Sequence, residues 1–163
     1  MAPQAQTPPY STYAALVGVF GGCMAGVAAI ASMRGRRPEH LTPLDLAVLS
    51  AATFKASRTV AHDEVLSFLR QPFVQGEAHE GDEKPIEDGG SRQALGELLT
   101  CSRCMGMWAA AGVVGLHTVA PRTGRLLTWS LAASAANDFL QAGFSALTAK
   151  ANELEQRTGG SSN

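Results

Sequence analysis

Long apolar stretches alternate with charged segments along this chain. Tyr13 to Met33 is a run of 21 residues without a charged side chain, and it ends at Arg34. At about 1.5 Å per residue, a helix of this length spans the roughly 30 Å hydrocarbon core of a bilayer. The pattern predicts a transmembrane helix at 13–33, preceded by a disordered leader at 1–12.

Three further helices are predicted. Residues 44–62 form helix two, which is apolar as far as Phe54 and is either transmembrane or partly interfacial. Residues 63–100 are predicted to be an acidic exposed loop with a short amphipathic segment, followed by helix three at 104–120, helix four at 126–149 and a disordered tail at 150–163. The predicted fold is all-α: a small multi-helix integral membrane protein with about four transmembrane helices.

Basic residues fall in the loop between helices one and two and in the loop between helices three and four: Arg34, Arg36, Arg37, Arg122 and Arg125. If all four helices span, both loops lie on one side, which the positive-inside rule makes cytoplasmic. We therefore expect a multi-pass protein of the cell membrane with extracytoplasmic N- and C-termini. The first apolar run lacks a basic segment before it, so we expect it to be retained rather than cleaved as a signal peptide.

Charge balance and motif content limit the classes of function that this sequence favours. There are 13 basic and 14 acidic residues, a net charge of −1, so no global field favours a nucleic-acid partner. No phosphate-binding glycine loop, nucleophile elbow or paired-histidine metal helix is present. We expect no enzymatic activity, no cofactor and no small-molecule substrate. Membrane lipid, a second copy of the chain or another membrane protein are the expected partners.

Gly18, Gly22 and Gly26 are spaced four residues apart in helix one. Small residues at this spacing let another helix backbone approach closely. The strip could support self-association or a pore, but packing against the chain's own helices, such as Ala111 and Gly115, is the favoured interpretation.

Lys55 and Asp138 are predicted at matched depth, about 17 Å along helices two and four. A carboxylate at that depth is costly, and pairing with Lys55 or Arg58 would offset the cost. An ion pair between the two helices is the favoured interpretation. A proton relay, and a snorkelling lysine beside a protonated Asp138, stay open.

Cys101 and Cys104 form a Cys-x-x-Cys motif at the start of helix three. A helix N-terminus and Arg103 would favour a thiolate. The pair is predicted to be a local disulfide, a redox centre or half of a metal site, for which His62, His79 or a second subunit would have to supply ligands. Cys23 is expected to pack in its apolar helix.

Two strings resemble the bacterial membrane-protein family catalogued as domain of unknown function 1360, which includes a protein named for sporulation. They are Thr53-Phe54-x-x-Ser57-Arg58 and the Cys-x-x-Cys-x-Gly-x-Trp string that ends at Trp108. The resemblance covers about residues 43–147. It implies a membrane protein without an assigned reaction, and it points to Arg58, Asp63, Glu64, Cys101, Cys104 and Trp108. This chain departs from the family pattern at Lys55, commonly Arg, and at Ser102 and Arg103, often Pro and an aromatic residue.

Together these features predict a structural or partner-binding envelope subunit that packs or self-associates through small-residue helices. The alternatives are a membrane thiol-redox or metal-binding module and a holin-like pore former.

Overall fold

The computed structural model describes residues 8–35 and 42–159, and the described chain is mostly helical. Its helices are α1 (Tyr10–Met33), α2 (Pro43–His62), α3 (Ser67–Arg70), α4 (Ser91–Thr100), α5 (Ser102–Val119) and α6 (Pro121–Gly159). Two short strands, β1 (Val74–Gln75) and β2 (Lys84–Pro85), pair antiparallel with Val74 opposite Pro85. The predicted helical class is confirmed, with this small hairpin as an addition.

Helix starts follow from local chemistry. The side chain of Thr42 accepts a hydrogen bond from the Asp45 amide, and Asp45 reaches back to the Thr42 amide, which is a complete capping box with Pro43 at the first helical position. Helix one is predicted to begin at residue 13, whereas α1 begins at Tyr10, directly after Pro9. Residues 1–7 of the predicted leader and the basic residues Arg36 and Arg37 lie outside the described residues.

The helices pack through small side chains. α2 packs against α5 and α6, and α1 packs against α5. Fully or nearly fully buried positions on these helices include Ala52, Ala61, Ala132 and Ala135. Side chains this small let helix axes come close and gain dispersion contact.

The α5–α6 hairpin is tighter and longer than predicted. α6 begins at Pro121 rather than Leu126, because proline suits the first helical turn and Ala120 alone connects the two helices. A Cβ added at Gly124 would lie 2.8 Å from the Cα of His117, so glycine permits this close crossing. α6 also continues to Gly159, so the predicted tail is helical over 150–159.

Residues 63–100 fold into a small unit rather than a loop, whereas most of the acidic side chains between 77 and 88 are exposed as predicted. Turns of 3-10 helix at Glu64–Leu66, Gln71–Phe73 and Ala78–Glu80 surround α3 and the hairpin, and α4 closes the unit. Gly76 has a φ of +98°, and a Cβ there would lie 2.8 Å from the Asp82 carboxylate. Glycine is therefore required where the hairpin loop folds back on itself.

Among the described residues, α1 is the helix that is long and apolar enough, by length and composition, to cross a membrane. A second span is obtained if α4 and α5, which meet at 84°, are one broken span. Core helices of soluble proteins and N-terminal signal sequences meet the same criteria, but 0% of the apolar window of α1 is buried, unlike a core helix. The four-span arrangement with outward termini stays a prediction.

Candidate functional site

Cys101 occupies the bend between α4 and α5. It is the single residue between the two helices, with extended backbone (φ −96°, ψ 99°), and its Sγ caps α5 by accepting the Cys104 amide hydrogen at 3.2 Å. One helical turn separates the two cysteines, so the Cys104 thiol also reaches Cys101 Sγ, at 2.6 Å. Both are free thiols. The local fold therefore brings two sulfur atoms together at a helix N-terminus.

The surroundings favour ionisation of Cys101. The pKa of Cys101 is lowered, and the largest cause is the hydrogen bond from the Cys104 thiol. The backbone amides of Cys104 and Arg103 and the Arg103 guanidinium lower it further, whereas burial acts in the opposite direction. Hydrogen bonds to a thiolate and a nearby cation both stabilise the charged form. Cys101 is thus the nucleophilic member of the pair.

The N-terminal half of α1 covers this end of α5. Tyr13 donates a hydrogen bond to the Glu97 carboxylate on α4. Phe20 meets Trp108 edge to face, with ring centroids 5.3 Å apart. Trp108, the last residue of the Cys-x-x-Cys-x-Gly-x-Trp string, thus contacts α1, which lies before the region of family resemblance.

The two thiols are not gathered with other metal ligands in the described part of the chain. The group of side chains close enough to share an ion is Glu77, His79 and Glu80, all exposed on the hairpin loop. A tetrahedral zinc site needs about four ligands, and the proposed contribution of His62 or His79 to the thiols is absent from this arrangement. Within the described residues, the site therefore offers two thiols.

Lys55 and Asp138 meet between α2 and α6, with Lys55 Nζ 2.8 Å from Asp138 Oδ2. The pair forms although α6 starts earlier than predicted. Arg58, expected in the same network, instead lies over the Phe54 ring at 5.8 Å, because the two residues are one turn apart on α2. Asp63 takes part in its place, with its carboxylate 3.9 Å from Lys55 Nζ.

The glycine strip of α1 does not pack against the chain's own helices. A Cβ added at Gly18, Gly22 or Gly26 would meet nothing within 4 Å. Gly115 faces Val27 of α1 rather than the glycine strip: a Cβ added at Gly115 would lie 3.3 Å from Val27 Cγ2. Since α1 turns its bulkier face to α5, the favoured interpretation of the strip is corrected: it is an open surface among the described residues.

Sequence reasoning missed Arg70. Its side chain is fully buried, with Nε 2.9 Å and Nη2 2.7 Å from Glu83 Oε2. Its Nη1 donates to the carbonyl oxygens of Val60 at 2.8 Å and Asp63 at 3.1 Å. A basic residue shortly after a helix end was the available signal, because the last carbonyls of a helix need donors. Glu64, which the resemblance pointed to, is exposed.

Comparison with known proteins places these residues in a family context. The model of a family described as "Protein of unknown function (DUF1360)" matches residues 48–144, so the predicted resemblance is confirmed. Sporulation protein YjcA of Bacillus subtilis (strain 168) is 31% identical over 100 residues, covering 55% of this chain and 80% of the relative. No solved structure matches the chain significantly.

Proposed function

The chain belongs to the DUF1360 family, and we propose that it is a small multi-pass membrane protein whose functional centre is a reversible dithiol at Cys101 and Cys104. The observation that carries the proposal is the 2.6 Å separation of the two Sγ atoms at the N-terminus of α5. Two thiols this close can exchange between dithiol and disulfide without moving a helix. The sporulation role in the name of the Bacillus relative is the proposed cellular setting.

The arrangement of helix ends supports the proposed topology. Arg34 Nη1 donates to the Val119 carbonyl at 2.6 Å, so the C-terminal ends of α1 and α5 lie together. Arg122 and Arg125 follow at the start of α6, at this same end. Tyr13 and Glu97 meet at the opposite end, beside the thiols. Arg34, Arg122 and Arg125 therefore lie at one end, and the positive-inside rule favours a cytoplasmic position for it. The dithiol, with Arg103 beside it, lies at the opposite end, which is the proposed outer end.

A redox titration of the full chain in detergent tests the dithiol. With Cys23 replaced by serine, we expect Cys101 and Cys104 to lose alkylation together as a glutathione buffer is made more oxidising, with an intramolecular mass loss of two hydrogens. Replacing either cysteine should abolish this transition. Alkylation of Cys101 and Cys104 that does not change with the potential of the buffer would exclude the proposed function.

Self-association through α1 is the second candidate, and the open glycine strip favours it. Ala15, Gly18, Gly22, Gly26 and Ala29 share the face of α1 that points away from α5, and all are exposed. A small-residue face suits a second helix better than it suits lipid chains. Self-association through this surface would correspond to the predicted role of a structural or partner-binding envelope subunit.

Mass measurement in detergent tests self-association. Gly22→Leu should shift an oligomer to monomer, because the new side chain projects from the centre of the strip. Gly21→Leu is the matched control: it lies off the strip on the same helix and also meets nothing within 4 Å. A single, unchanged mass for both variants and the unmodified chain would eliminate this candidate.

A further inference from the structure

An apolar groove of about 220 Å³ lies where α1, α4 and α5 meet, directly beside the dithiol. Aliphatic and aromatic side chains form its walls: Leu16, Val17, Phe20, Leu98, Met107 and Trp108. Cys104 belongs to the same lining. The groove thus places an apolar binding surface beside the Cys101–Cys104 pair.

Two further polar side chains of the lining, Tyr13 and Glu97, are hydrogen-bonded to each other. Tyr13 donates to Glu97, and the second oxygen of that carboxylate accepts a hydrogen bond from Gln93 Nε2 at 2.9 Å. With these groups paired, the wall offers aromatic faces and methyl groups to an occupant. A flat apolar ring fits such a wall, because aromatic rings pack favourably in stacked or edge-on contact.

The size and position of the groove limit the occupant further. An apolar cavity of about 150 Å³ holds a benzene molecule, so 220 Å³ accommodates a substituted six-membered ring. One wall is α1, the helix suited to cross a membrane, and Val17 on that wall is 68% exposed. An occupant dissolved in the bilayer can therefore enter from the side of α1.

We propose that this groove binds the ring of a membrane quinone, which accepts the electrons of the Cys101–Cys104 dithiol. The inference rests on the proposed dithiol function and adds its oxidant. An acyl chain would fill the same walls but would give no use to the thiol placed among them.

The reaction balances as a two-electron transfer. Cys101 Sγ, which lies 2.6 Å from Cys104 Sγ at the edge of the groove, adds to a ring carbon of the quinone, and Cys104 Sγ then attacks Cys101 Sγ. The S–S bond forms, the S–C bond breaks, and its electron pair stays on the ring. The two thiol protons end on the two quinone oxygens, so one dithiol and one quinone give one disulfide and one hydroquinone.

Anaerobic mixing of the reduced full chain in detergent with a short-chain ubiquinone or menaquinone tests the proposal. We expect loss of quinone absorbance in a one-to-one ratio with disulfide, and no reaction in the Cys101→Ser, Cys104→Ser double variant. Val17→Trp should slow the reaction at least tenfold by filling the groove with both thiols intact. Met107→Trp, from the opposite wall, provides a second filling variant at an exposed position.

Val19→Trp is the matched control, since Val19 is 55% exposed on α1 outside the groove lining. It should react at the unmodified rate. If the dithiol cycles in the glutathione titration but does not reduce quinone, or if Val17→Trp and Val19→Trp react equally, the quinone site is refuted while the dithiol stands. If the dithiol does not cycle at all, both proposals fail together. A phospholipid retained in the groove that added quinone fails to displace would also overturn the quinone site.

Discussion

Arg70 joins the end of α2 to the hairpin, and replacing it with methionine should open the unit formed by residues 63–100. Methionine keeps much of the stem volume and removes all donors. Glu83, with 12% of its side chain exposed, would then lose its cation, and the carbonyl oxygens of Val60 and Asp63 would lose their donor.

Breaking a buried ion pair by removing one partner costs about 3–5 kcal/mol. We expect the full cost for Arg70→Met, because the Arg70 side chain is 0% exposed. Arg70 also donates hydrogen bonds to carbonyl oxygens at the C-terminal end of α2, where a cation is favoured. Since each 1.4 kcal/mol is about a tenfold change in an equilibrium constant, local opening should increase a hundredfold or more.

Hydrogen exchange of the backbone amides over 66–100, measured on the full chain in detergent, reports this opening. Arg92→Met is the matched control, because Arg92 is exposed and, among the described residues, donates to the Pro72 carbonyl, at 2.8 Å for Nη2. Its loss should cost about 1 kcal/mol or less, up to roughly fivefold in exchange. Exchange in Arg70→Met within threefold of the unmodified chain would refute the reasoning.

Three further predictions concern the helices and the thiols. Lys55→Asp and Asp138→Lys should each lower the melting temperature and the double swap should recover most of the loss; a double swap no better than the single changes would count against the pair. Gly124→Ala should destabilise the hairpin in the same melting assay because its Cβ would lie 2.8 Å from backbone atoms, whereas Gly112→Ala, with nothing within 4 Å, should be neutral or stabilising by up to about 1 kcal/mol. Because the pKa of Cys101 is lowered, its alkylation by iodoacetamide should stay fast at pH values below the ordinary thiol pKa and slow only at still lower pH. Mass spectrometry measures the alkylation rate at each pH, and a pH profile centred on the ordinary thiol pKa would contradict this.

Local pattern was sufficient for some parts of the fold and not for others. The 21-residue apolar run locates α1 and the apolar stretch from Leu44 to Phe54 locates α2, because those signals act within one helix. The proximity of Lys55 and Asp138 is predicted from their matched depth along helices two and four and from the cost of an unpaired charge there. These inferences need only one helix or one pair of residues.

The missed features depend on contacts that no local pattern carries. The folded unit at 63–100 is built around Arg70, whose partners are 7 to 13 residues away in sequence. Its acidic composition suggested an exposed loop because the neutralising cation lies outside the acidic run. Likewise, Gly22 and Gly124 are indistinguishable as glycines; only the observed crossing of α5 and α6 identifies the second as a packing position.

The distribution of large and small side chains supports the proposed membrane setting beyond α1. Most of the buried apolar positions in the described chain are alanines, whereas large apolar side chains of α6 are exposed, including Phe139 (62%), Leu140 (73%) and Phe144 (72%). In water this arrangement would forgo most of the hydrophobic stabilisation, at roughly 25 cal/mol per Å² of apolar surface left uncovered. In a bilayer the exposed side chains are solvated by lipid, and close packing of small residues becomes the main force between helices. Lys55 and Asp138 pair with each other between α2 and α6. This pairing would lower the cost of placing both charges in a bilayer.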